Sequence, residues 1–253
     1  MRNNRLKVIG IALVAVVALS AFAASFASAA DAPRWRVAGG FLKSGQTEAV
    51  TGTTAEASWL NIPKLNLRLS SPKEKCHLEE SKIIGSGENS PGEVTGFLKC
   101  EEFAVDGVSP TVCKVHSEGQ PVGTVTTKAL KGHLVWLAAT GEQAGITLEP
   151  ESTEWVKLII EGTECSAAGE FPVKNGIIGK IDPVATEVTT GTLTFPPAAS
   201  TTCNEPILTD WSNATPRVST AHTQLSVGAQ PATFCTTFSI HLTSDKNWGV
   251  FAG

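Results

Sequence analysis

The sequence predicts an all-β fold, either an antiparallel β-sandwich or a partly open β-barrel. Beyond residue 30 the chain shows almost no apolar repeat of helical period. It shows instead a succession of short alternating or β-branched runs, punctuated by glycine and proline, 23 and 14 of the 253 residues. With 42% hydrophobic and 17% charged residues, and no glycine period or sustained heptad, it reads as neither disordered nor fibrous. A chain this long hides roughly 70% of the surface its unfolded form exposes, so a core does not require cross-links.

Taken in order, the chain opens on Arg2, Arg5 and Lys7, then an uncharged run from Val8 to Ala30 ending in the small-residue cleavage pattern Ala27-Ser28-Ala29. A signal peptide is expected over residues 1–29 and a single all-β domain over 30–253, with two stacked β modules as the alternative. The run could span a bilayer, but it turns from Val/Leu-rich to Ala/Ser-rich and no basic stop-transfer cluster follows. The expected product is secreted, or held in the cell envelope, and free of the membrane after cleavage. Losing three basic groups makes the formal net charge of −4 more negative by three. An acidic chain without a basic run offers no footprint for nucleic acid or anionic lipid.

Strands are expected at Trp35–Val37, Leu65–Ser70, His77–Ile84, Val94–Glu102 and Cys113–His116, each a β-branched or alternating run closed by a turn. Further strands are expected at Val122–Ala138, Glu154–Ile160, Ile177–Ile181, Val188–Phe195 and Phe234–Leu242. Alternation of apolar residues with Gly or Thr in 122–125 and 193–195 marks strands with one buried face. Turns are expected at 86–92, Asp106-Gly107, 139–141 and Lys174-Asn175-Gly176, where Asn175-Gly176 is a two-residue hairpin signal. Residues 196–231 hold few convincing strands and read as a long irregular excursion, which a compact domain tolerates only if functional or pinned. It contains Asn213-Ala214-Thr215, a glycosylation sequon followed by Pro216.

Six cysteines, Cys76, Cys100, Cys113, Cys165, Cys203 and Cys235, form an even set in an exported chain and imply three disulfides. The preferred pairing is Cys100 with Cys113, Cys203 with Cys235 and Cys76 with Cys165, each bridging a loop or neighbouring strands. Metal binding is disfavoured, because the nearest cysteines are not the close pairs a zinc site uses.

Catalytic motifs find little support. Ser70-Ser71-Pro72-Lys73 fits S-x-x-K, but Pro72 and the strand-like run before it deny the helix that motif requires. There is no G-x-S-x-G, P-loop or G-x-G-x-x-G, so no cofactor is expected. His77, His116, His133, His222 and His241 never share a metal-ligating spacing and read as surface or turn residues. Glu79-Glu80 and Glu101-Glu102 put adjacent carboxylates on opposite strand faces and read as solvated charge rather than a glycosidase pair. Loop glutamates such as Glu149 and Glu151 offer at most weak calcium binding, without the D-x-D-x-D-G series.

The aromatic inventory is six tryptophans, ten phenylalanines and no tyrosine. Trp136 and Trp155 lie in strongly apolar runs and belong in a core, as do most such residues. Trp211, in the excursion, and Trp248, near the tail, are the ligand-binding candidates, able to stack on sugar rings or grip a partner.

The series Arg34-Trp35-Arg36-Val37-Ala38-Gly39-Gly40, Cys76, Cys100, Cys113-Lys114-Val115, the run from Gly123 to Val135, and Cys165 resembles a group of uncharacterised exported proteins of soil actinobacteria. It covers roughly positions 34–184. The resemblance implies an exported, cysteine-bridged bacterial β-protein and, the group having no established activity, carries over no functional residues. The functional expectation is a non-catalytic secreted or envelope β-domain that binds a glycan or wall polymer. An extracellular hydrolase is the first alternative and adhesion or self-assembly through strand edges the second.

Overall fold

A computed structural model of the chain describes residues 31–138, 141–195 and 224–253, and Asp31–Gly253 gathers into one compact unit. The expected signal peptide, Cys203, Trp211, Asn213 and His222 lie outside the described residues.

The first strands are β1 (Pro33–Val37), β2 (Gly40–Phe41), β3 (Thr47–Thr54), β4 (Ser58–Ile62) and β5 (Leu67–Ser71). There follow β6 (Cys76–Ile84), β7 (Glu93–Cys100), β8 (Ala104–Val105), β9 (Lys114–Ser117) and β10 (Val125–Thr126). Next come β11 (Leu130–Trp136), β12 (Ala144–Pro150), β13 (Val156–Glu161), β14 (Gly169–Lys174) and β15 (Ile177–Asp182). The last are β16 (Thr190–Phe195), β17 (Ser226–Val227), β18 (Gln230–Pro231), β19 (Thr233–Leu242) and β20 (Trp248–Ala252).

Eight of these close an antiparallel barrel in the order β16-β15-β12-β11-β7-β6-β3-β19, with β19 pairing back onto β16. The all-β expectation is borne out in barrel form. Closure removes the open edges that a sheet this wide would otherwise present. The ten-residue β19 does double duty. Phe238–Leu242 pairs with β3, while Thr233–Cys235 pairs with β4 and opens the extension β4-β5-β8. Two further sheets, β2-β1-β20 and β18-β17-β14-β13-β9, pack against this frame.

The barrel interior is filled. Leu130, Ile146, Ile181, Leu193, Ile240 and Leu242 point inward, and Trp35 and Trp248 from the β1–β20 pair complete the lining. What remains is a cavity of about 60 Å³ with almost wholly apolar walls. Eight strands enclose a bore that side chains can just fill, and here they do. A second core lies where Leu60, Leu98, Phe103, Trp155, Leu158 and Phe234 converge, with a gap of about 50 Å³.

The strands that sequence patterning missed, among them β3, β12, β14 and β20, carry Glu, Thr, Gly or Pro at positions where an alternating run was sought. Val122–Ala138 is two strands rather than one. Val125 pairs opposite Cys100 while Leu130 pairs opposite Gly96, so the intervening residues step away, with Lys128 N–H donating to the Trp155 carbonyl. Asn175-Gly176 is not a hairpin. β14 belongs to the five-stranded sheet and β15 to the barrel, so the turn carries the chain between sheets. Asn175 has φ 68°, and its carbonyl accepts from Trp155 Nε1. At the end of the expected excursion, residues 224–231 are folded: β17 pairs with β14, and Leu225 and Val227 are buried.

Two of the three expected cysteine pairs, Cys100–Cys113 and Cys76–Cys165, are corrected, while Cys203 of the third lies outside the described residues. Cys76 bonds Cys100, and Cys113 bonds Cys165. Cys76 stands directly opposite Cys100 in the β6–β7 ladder, a proximity set by register and invisible in spacing. Cys113 precedes β9 and Cys165 follows β13, and those strands pair antiparallel up to Lys114 opposite Glu161. Cys235 is also disulfide-bonded. Disulfides of this number indicate an oxidising compartment.

Candidate functional site

With the interior filled, concave space is found on the barrel's outer wall. The outward residues of three adjacent strands form the floor of an open groove of about 550 Å³: Glu93 and Thr95 on β7, Lys131 and His133 on β11, Thr147 and Glu149 on β12. Ser90 and Pro91, from the β6–β7 loop, form its wall. That loop is tied down locally, since Ser86 Oγ donates to the Ser90 carbonyl at 2.5 Å and Ser90 N–H donates to the Gly87 carbonyl at 3.1 Å.

Register sets the arrangement. His133 lies between Glu93 and Thr147, and one step along the face Lys131 lies between Thr95 and Glu149. Each row across the strands therefore holds one acid, one base and one hydroxyl, with the base in the middle and acid and hydroxyl exchanging sides between rows. Gly132, at the centre of the floor, is required by space, because a β-carbon there would sit 1.8 Å from the Thr147 carbonyl oxygen.

The contacts of Thr147 limit its chemistry. Its hydroxyl accepts from the His133 backbone N–H at 3.2 Å, donates to the His133 carbonyl at 3.2 Å, and stands 3.1 Å from the ring Nδ1. The one hydroxyl proton is shared out by tautomer: it goes to the His133 carbonyl when Nδ1 carries a proton, and the ring nitrogen is an equally near acceptor when it does not. The pair is a cross-strand brace. The same motif recurs where Thr51 meets His241 Nε2 at 2.9 Å and Thr53 meets His77 Nδ1 at 3.4 Å. His116 instead bonds the Ser117 carbonyl at 3.0 Å and stands 3.6 Å from Glu161.

The remaining sequence candidates disperse. Trp248 is 2% exposed and packs edge to face against Trp35 at 6.0 Å, so it is a core residue and no ligand platform. Its place opposite Val37 in the β1–β20 ladder points it inward, which tail position alone could not reveal. Trp136 and Trp155 are buried as expected, and the Trp59 ring is covered by the Arg68 guanidinium at 3.6 Å. The acidic pairs do not act as pairs. Glu80 and Glu102 adopt positive φ, 50° and 51°, which breaks the regular alternation. Their neighbours Glu79 and Glu101 meet on Lys99, at 3.6 and 3.1 Å. The Lys99 hydrogen bond holds the Glu101 carboxyl below its ordinary range, and Glu101 and Glu79 together raise the Lys99 ammonium. Among the described residues no cluster of His, Cys, Asp and Glu has the geometry of a metal site.

Sequence reasoning weighed His133 and Glu149 separately and passed over Glu93, Lys131 and Thr147. No local signal joins them. They belong to three strands whose adjacency arises only from barrel pairing. Neither protein-family models, nor curated proteins, nor solved structures yield a match to this chain.

Proposed function

We propose that the chain is a non-catalytic binding domain of the cell exterior whose groove takes a short stretch of a glycan or wall polymer. One observation carries the reading: the largest concavity among those described lies outside the barrel and is lined by carboxylate, ammonium, imidazole and hydroxyl groups. Sugar hydroxyls are donors and acceptors at once, and a floor of alternating donors and acceptors suits them. The apolar interior, by contrast, has room for no ligand of that size. The disulfides fit export to an oxidising compartment.

The test is binding of the purified protein to arrayed glycans and cell-wall fragments, with release of reducing ends assayed in parallel. Glu93→Gln, Lys131→Ala and His133→Ala are each expected to weaken binding about tenfold, the worth of one hydrogen bond to a charged or polar group. Unchanged binding in all three variants would sink the proposal.

Hydrolysis is a second reading with its own observation, because Glu93 and Glu149 share the groove. Two strand spacings and a two-residue offset set their Cα atoms about 12 Å apart, and carboxyls reaching toward each other could approach an inverting pair. Turnover lost in both Glu93→Gln and Glu149→Gln would select that reading over binding alone.

A further inference from the structure

On another sector of the barrel wall, β16, β19 and β3 are consecutive, and their outward side chains are almost all hydroxyls. β16 presents Thr190, Thr192 and Thr194; β19 presents Thr237, Ser239 and His241; β3 presents Thr51 and Thr53. The alternate residues Leu193, Phe195, Phe238 and Ile240 are buried, which fixes the direction of the others. Register aligns them into rows: Thr190–His241–Thr51, then Thr192–Ser239–Thr53, then Thr194–Thr237. The hydroxyls thus repeat about every 5 Å across the strands and about 7 Å along them.

Threonine favours strands, so its presence alone says little. The absence of charge says more. Equivalent outward positions elsewhere on the same barrel carry Glu79 and Lys99, or Glu93, Lys131 and Glu149. Here charge begins only at the margins, where Asp182 pairs beside Thr192, Lys180 beside Thr194, His77 beside Thr53, and the β6 bulge at Glu79 and Glu80 stands opposite Thr51. In an acidic protein, a face kept free of charge repels neither a neutral ligand nor its hydration, and gives an ionic ligand nothing to pair with.

We infer that this face is a second binding site, for an extended, uncharged, hydroxyl-bearing polysaccharide. Each exposed hydroxyl contact trades a water bond for a similar one and contributes little net free energy. Only a ligand that repeats along the array gathers enough of them. The threonine methyl groups add shallow apolar contact for the C–H faces of sugar rings. The Thr51–His241 and Thr53–His77 bonds hold part of the array in fixed rotamers before the ligand arrives. The site is independent of the groove and stands whether or not the groove binds.

Co-sedimentation of the purified protein with microcrystalline cellulose and with chitin, against carboxylated cellulose as the charged counterpart, tests it. The protein is expected to sediment with a neutral polymer and less with the charged one. Thr190→Val, Thr192→Val and Thr194→Val combined keep the branched shape and remove three hydroxyls, and should lower the bound fraction at least fivefold. Thr192→Lys, a single exposed change, should do the same. Lys64→Ala, an exposed change in the β4–β5 turn outside both the groove and this face, should sediment like the parent. Circular dichroism confirms that each variant is folded. The inference is overturned by no sedimentation with either neutral polymer, by sedimentation of the Val and Lys variants equal to the parent's, by preference for the charged polymer, or by the same loss in Lys64→Ala.

Discussion

Trp35 and Trp248 are neighbours in the core, yet they are built into it differently. Trp35 Nε1 donates to the Glu93 carbonyl at 3.0 Å, whereas the buried Nε1 of Trp248 has no partner among the described residues. A buried donor left unpaired costs free energy, and removing it recovers that cost while sacrificing some ring contact. Trp35→Phe should therefore destabilise the fold by about 1–3 kcal/mol, as it leaves a carbonyl unsatisfied beside a smaller ring. Trp248→Phe should cost clearly less. Urea denaturation of both variants checks this, and a larger loss for Trp248→Phe would show that ring volume alone governs the pair. The same two residues mark a limit of reading sequence. Both sit in short strands with plausible exposure, and only their opposition to Val250 and Val37 turns them inward.

At the level of elements, strand pairing decides what the cysteines do. The Cys76–Cys100 bridge spans 24 residues and locks one hairpin, β6–β7. The Cys113–Cys165 bridge spans 52 residues and clamps the β9–β13 pairing. On the chain-entropy account, opening them costs about 3.5 and about 4 kcal/mol respectively. Cys113→Ala with Cys165→Ala should thus lower the urea midpoint at least as far as Cys76→Ala with Cys100→Ala. A clearly smaller effect would mean that the five-stranded sheet holds without its clamp. Strands such as β6, β15 and β19 were legible because their β-branched and apolar runs stand out from the surrounding turns. β3 and β12 were not, since Gly52 and Gly145 take the place of apolar residues where neighbouring side chains leave no room for a β-carbon.

Across the whole molecule, ion pairs join segments far apart in sequence. Glu48 on β3 bonds Lys246 and Ser244 in the β19–β20 turn, and Glu154 bonds Lys128 ahead of β11. In both cases the lysine hydrogen bond is the main force holding the carboxyl below its ordinary 4.5. A carboxyl depressed in the folded state stabilises above its unfolded value and loses that contribution as pH falls through the folded one. The urea midpoint should accordingly hold from pH 7 to about 4.5 and decline below. Glu48→Gln combined with Glu154→Gln should start lower at pH 7 and decline less steeply in acid. Parallel acid limbs would show that these pairs contribute nothing measurable.

The sequence by itself determined that the chain is all-β, where many of its strands lie, and that its cysteines are bridged. Those properties follow from a two-residue side-chain period, turn chemistry and cysteine number, all of them local. Only the tertiary structure decided that the sheet closes into a barrel, that Cys76 meets Cys100, that Trp248 is core, and that Glu93, Lys131, His133 and Thr147 share a groove. The reason is that a strand's pattern states which of its faces is buried but carries no record of its neighbour. Neighbours are selected by closing the barrel, where every backbone hydrogen bond finds a partner and every inward side chain finds a place.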